Sequence, residues 1–201
     1  MPKALNMERG MSLIEIVIAL AIVTILTAIS VPLIFNHSKA YKSEDQAIKV
    51  IDLMRESAQL ALTRRRTMRF EIAWSDTPVA RIIDENGAAA DITLKTIPLE
   101  PVNLVRMDVP PDGVNVPPPN YPAVSIAGVT SARFRSDGSV VNAADLPISG
   151  TLFSWPPKDK PYDVGDLEPR RIEEVRAITL DGASGAIRLW RYDGANFVSG
   201  Q

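Results

Sequence analysis

The stretch ERGMSLIEIVIALAIVTILTAISVPLIF, residues 8–35, decides how the rest of the chain is read. From Ile16 to Phe35 no residue is charged, yet Glu15 stands directly before that run and five positions after Gly10. A helix rises about 1.5 Å per residue, so the run reaches about 30 Å, the thickness of a bilayer core. A charge at the bilayer centre costs about 2.5–3.5 kcal/mol on insertion scales, so Glu15 needs a partner or a place near the surface. A secretory signal has a shorter apolar region with its cleavage site behind it. Here the only plausible break, Gly10, comes first, so a cut there leaves the span on the mature chain. Lys3 and Arg9 precede the run, which suits a cytoplasmic start. Lys39 and Lys42 lie beyond it, so charge alone does not set the orientation.

The segment RG-MSLIE followed by the apolar run resembles the class III signal of type IV pilins and pseudopilins. The resemblance implies a leader of residues 1–10, cut after Gly10 by a prepilin peptidase that then methylates the amine of Met11. Glu15 becomes the fifth mature residue, where the family carries its glutamate, and Pro32 the twenty-second, where many members carry a helix-kinking proline. Met11 stands where Phe is commoner, and Ser12 where Thr is commoner. In the family the glutamate pairs with the N-terminal amine of a neighbour. Such a pair favours one axial register between subunits, as a single buried polar group does in a coiled coil. The resemblance also implies a single pass through the bacterial inner membrane by residues 11–35, with the head in the periplasm.

Residues 36–69 read as a continuing amphipathic helix. Tyr41, Ile48, Ile51, Met54 or Arg55, Ala58 and Leu62 recur at spacings of three and four, and no glycine or proline interrupts from Asn36 to Thr77. A helix from Met11 to Arg69 would be about 90 Å long. Arg64, Arg65, Arg66 and Arg69 close it, as cations that the helix C-terminus favours by about 0.3–1 kcal/mol each. A DNA contact is the rival reading of that cluster. His37 has no partner ligand nearby and reads as an interfacial polar residue.

From Phe70 the pattern changes to alternation punctuated by turns. Strands are expected at 68–74, 80–84, 91–99, 131–141 with a turn at Asp137–Gly138, 150–155, and 175–192 as a hairpin through DGASG. With no helical pattern between them, they predict an antiparallel sheet over 70–201, and an α+β fold overall. Residues 98–122 hold half of the 16 prolines, and VPPDGVNVPPPNYP cannot sit inside a sheet. In the loop 156–170, Asp159, Asp163, Asp166 and Glu168 are candidate calcium ligands, although their spacing fits no EF-hand. No other cofactor is implied.

The motifs AQLALTRRRTMRFEI, FRSDGS and SGAIRL are similar to those of the FimT and pseudopilin-H group. The absence of cysteine departs from the disulfide-closed region of major pilins and favours a minor subunit. Composition excludes much else. With 0 Cys and 1 His, the chain lacks a thiolate metal site and the usual nucleophile–base pairs; Ser154 and Asp137 stand without such a base. It is therefore expected not to be an enzyme. A net charge of −2 gives nucleic acid little to bind. The expected partners are prepilin peptidase, other pilin or pseudopilin subunits and the inner membrane. The expected role is a minor pseudopilin of a type II secretion system, with a minor type IV pilin acting in pilus assembly or DNA uptake as the alternative.

Overall fold

A computed structural model of the chain describes residues 13–85, 90–125, 129–158 and 165–200, without the side chains at 29 and 31–40. The chain divides after Ser38 into two units. One helix, α1, spans Leu13–Arg64. It passes through position 32, so it does not end at the proline. It closes earlier than Arg69: Arg65 takes a left-handed conformation, φ 53°, which stops the helix, and strand β1 has begun by Met68.

In the second unit α1 packs on two five-stranded antiparallel sheets rather than one. The first has the order β3-β2-β1-β5-β6, formed by Ile92–Pro98, Val79–Asp84, Met68–Ala73, Val129–Phe134 and Val140–Val141. The second has the order β10-β9-β8-β7-β4, formed by Phe197–Ser199, Ile187–Tyr192, Arg176–Leu180, Gly150–Trp155 and Arg106–Asp108. β1 lies in register between β2 and β5, with Phe70 opposite both Ile82 and Ala132.

The helix face that does the packing differs from the expected stripe. Tyr41, Ile48 and Leu62 are 70%, 42% and 52% exposed, while Ile51 and Met54 from that stripe are buried. The buried face runs through Ser43, Ala47, Val50, Met54, Ser57 and Ala61, with Gln46 and Leu53 beside it. Those positions also recur at three and four. The stripe is masked in the sequence because two serines and a glutamine occupy it. Small side chains let the helix approach the sheets closely, and Ser57 satisfies its hydroxyl on the Leu53 carbonyl at 2.8 Å.

The second sheet is covered on both faces. Leu152, Ile178 and Leu180 join the core beneath α1, while Phe153, Trp155, Ala177 and Tyr192 join a second cluster with Val114 and Val175. Every residue of β8 is buried, including Arg176 and Thr179. The proline-rich segment is therefore the outer cover of this sheet. It also contributes β4, a strand the expected boundaries missed, which pairs with β7 through Arg106↔Trp155. Residues 109–122 enter no strand, as their prolines require.

Two turns lock the sheets together. Val140 N–H donates to the Gly182 carbonyl at 2.8 Å. A Cβ on Gly182 would lie 2.2 Å from the Ile148 carbonyl oxygen, and one on Gly185, at φ 68°, would lie 2.3 Å from that of Gly138. The FRSDGS and SGAIRL motifs thus meet, and glycine is required because backbone approaches backbone there.

Candidate assembly segment

The first part of α1 has no core of its own. Leu13 is 81% exposed, and Ile14, Val17, Leu20, Val23 and Leu26 are all more than half exposed. Ile16, Ile18, Ile22 and Ile25 are exposed as well, so the apolar surface runs all round the helix. A helix apolar on every side belongs in a membrane or among other helices. Covering one leucine or isoleucine is worth about 1.5–3 kcal/mol, so the segment gains strongly from any apolar cover.

Its polar groups are arranged for such cover. The Thr24 hydroxyl donates to the Leu20 carbonyl at 2.8 Å, and Thr27 to Val23 at 2.6 Å. Neither hydroxyl then needs a neighbour's help in an apolar setting. From Leu13 to Ser38 the one ionisable acid or base, apart from His37, is Glu15. It occupies the first turn of α1, where the helix dipole favours a carboxylate by about 0.3–1 kcal/mol. That preference is far smaller than the cost of burying an uncompensated carboxylate, so in a closely packed bundle Glu15 requires a cation.

Gly10 and Met11, the expected cleavage and methylation positions, lie outside the described residues, as does the leader 1–10. Among the described residues no helix is long and apolar enough to cross a membrane. The expected span, 11–35, extends past the described side chains at both ends.

The remaining candidates fall into structural roles. Arg64 and Arg66 stand 3.2 and 3.9 Å from Asp84, and Arg69 bonds Glu85 and Asp91 at 2.8 Å each. Arg133 donates through Nε to the same Glu85 at 2.7 Å. Burial works against the Arg69 cation, but its hydrogen bonds to Asp91 and Glu85 outweigh this and hold its pKa above the ordinary arginine value. A phosphate would have to displace those carboxylates from the cluster. Arg170 pairs with Glu174, both side chains about nine-tenths buried.

Asp159 and Asp163 lie outside the described residues. Asp166 accepts the Glu168 N–H at 3.0 Å, and Glu168 pairs with Lys158 at 2.6 Å. Among the described residues no three His, Asp or Glu side chains gather as a metal group. Ser154 is buried and donates to the Ser43 carbonyl at 3.2 Å, while Asp137 accepts from Ser139 within its own exposed turn.

Sequence reasoning missed the polar seam that ties α1 to the head just after residue 38. Gln46, fully buried, accepts the Glu100 N–H at 2.7 Å; Lys42 pairs with Glu100 at 3.1 Å and Glu44 with Arg176 at 2.9 Å. The signal was a run of hydrophilic residues, which reads equally well as a solvated face.

Residues 5–31 match the family model described as a prokaryotic N-terminal methylation motif. The chain therefore carries the class III prepilin signal that its sequence resembles. No curated protein and no solved structure matches the chain.

Proposed function

We propose that this chain is a structural subunit of a pilin-like filament, and specifically a minor pseudopilin of a type II secretion system. The observation that carries the reading is the methylation motif of residues 5–31 running into an apolar helix headed by the carboxylate of Glu15. In this reading the subunit waits in the inner membrane with its head in the periplasm. Prepilin peptidase cuts after Gly10 and methylates Met11. The freed amine then meets the Glu15 carboxylate of a neighbouring subunit as the helices bundle. Cleavage creates the cation that an apolar bundle demands, which makes processing a precondition of assembly.

The test has two stages. Intact-mass analysis of the chain from its native host is expected to show Met11 as a methylated N-terminus, and a chain still beginning at Met1 would overturn the reading. Deletion of the gene is then scored in parallel for secreted proteins and surface pili. Loss of secretion with pili intact supports the pseudopilin, whereas loss of pili or DNA uptake with secretion intact makes the chain a minor pilin. Glu15→Ala is expected to leave cleavage intact and abolish incorporation into the filament.

A further inference from the structure

We propose that the groove between α1 and the β9–β10 edge of the head takes an extended, acidic segment of a partner polypeptide, added as a strand beside β10. The proposal concerns the head alone and stands apart from the assembly reading. The groove has a volume of about 320 Å³, with Ile48, Ile51 and Leu189 at its floor and Arg55 and Arg191 among its lining residues.

The arginines point to the partner's charge. Arg64, Arg69, Arg133, Arg170 and Arg176 all pair with carboxylates. Among the described residues the side chains of Arg55 and Arg191 have no hydrogen-bond or ion-pair partner. Of the other charged residues lining the groove, Glu44 and Arg176 satisfy each other at 2.9 Å, and Asp52 is the one remaining acid. The balance is cationic. An apolar floor lowers the local dielectric and strengthens any carboxylate–guanidinium contact made above it.

The strand edge points to the partner's conformation. Among the described residues β10 pairs only with β9. The Asp193 N–H donates to the Asn196 carbonyl at 3.0 Å and the Gly200 N–H to the Leu189 carbonyl at 2.9 Å. These mark the hydrogen-bonded positions of the ladder, and alternation makes Val198↔Arg191 another. Phe197 and Ser199 therefore turn their N–H and C=O groups to the open side. Val198, 54% exposed, shares the face of Arg191. Of the other outer strands, β6 is two residues long, β4 lies within the proline-rich segment, and β3 is blunted by Lys95, Pro98 and a bulge against β2. β10 is short, at three residues, but carries no lysine, proline or bulge. A strand added there directs alternate side chains toward Arg191 and Arg55, and the others alongside Phe197.

The experiment titrates the full chain, in non-ionic detergent, into two fluorescein-labelled octapeptides, one of alternating Glu and Val and one of alternating Lys and Val. The acidic peptide is expected to bind at least tenfold more tightly, and Arg55→Glu with Arg191→Glu to reverse the order. Amide exchange at Phe197 and Ser199 is expected to slow on binding. Equal affinity for the two peptides, an order unchanged by the double reversal, or binding without protection of those two amides would overturn the proposal. The exchange measurement on the unaltered chain decides the matter even where the double variant folds poorly.

Discussion

Helix α1 is one element with two kinds of surface. Between Lys42 and Arg64 the chain covers one face of its own helix, and Ala47, Val50, Leu53 and Ala61 are at most 1% exposed. Between Leu13 and Leu26 it covers nothing, and aliphatic residues of every orientation stay open. Helical geometry is the same in both parts, so the difference lies in the strands that come later in the chain. The strands of the second unit belong to residues 68–199, and the core they form takes in Ala47, Val50, Ile51, Leu53, Met54 and Ala61 of the later part of the helix. The apolar residues of the earlier part stay exposed. Stability should therefore depend on the later part, and association on the earlier.

The sharpest way to break that comparison is to truncate one leucine in each part. Leu53 is 1% exposed against both sheets, so Leu53→Ala is expected to destabilise the head by about 2–5 kcal/mol. Leu20 is 62% exposed, so Leu20→Ala is expected to change the same transition by no more than about 0.5 kcal/mol. Tryptophan fluorescence of the full chain in detergent reads both, because Trp74, Trp155 and Trp190 all lie in the head. Equal effects would refute the division of labour.

A smaller effect tests whether polar contacts also hold the later part. Gln46 gives its Oε1 to the Glu100 N–H but leaves its own Nε2 buried without a partner. Gln46→Ala strands the Glu100 N–H and removes the orphaned amide NH2 together, so the two consequences oppose each other. The net cost is expected to be about 1–2 kcal/mol by the same fluorescence transition. A stabilised variant would show that the orphan outweighs the bond.

The same contrast explains what could be read from the sequence. The earlier part of α1 was legible because Gly10, Glu15 and an unbroken apolar run need no tertiary context to be recognised. The motif over residues 5–31 matches, while Gly10 and Met11, the expected cleavage and methylation positions, lie outside the described residues. β1 was legible from the alternation of Met68, Phe70 and Ile72, and the hairpin through residues 181–185 from its glycines. The packing face of α1 was not, since Ser43, Gln46 and Ser57 look solvated until the sheets arrive. β8, the first arm of that hairpin, was expected as a strand, but the burial of Arg176 and Thr179 was not, because both its faces are covered. β4 hides inside a proline-rich segment, and β10 is three residues long. In each case a tertiary neighbour, absent from any local window, made the choice.

The smallest expected effect separates the two parts by acid. Three aspartates, Asp137 and Asp193 exposed and Asp181 partly buried, hold turns of the head. Asp137 accepts from the hydroxyl and N–H of Ser139; Asp181 from the Ala183 N–H and the Tyr121 hydroxyl; Asp193 from the N–H groups of Asn196 and Ala195. Those bonds hold all three carboxyls below the ordinary aspartate value of about 3.9. A depressed folded-state pKa adds stability that is fully present above the unfolded value and is lost as pH falls through the folded one. The head is therefore expected to be insensitive to these groups above about pH 5 and to melt progressively earlier below about pH 4. Asp193→Asn keeps an acceptor oxygen but removes one titrating group, so it should flatten that acid slope. The earlier part of α1 contains one carboxylate, Glu15, and none of those three turns. Its helical circular dichroism in detergent should persist at a pH where the tryptophan signal of the head has already collapsed, and simultaneous loss of both signals would show that the two parts share one fate.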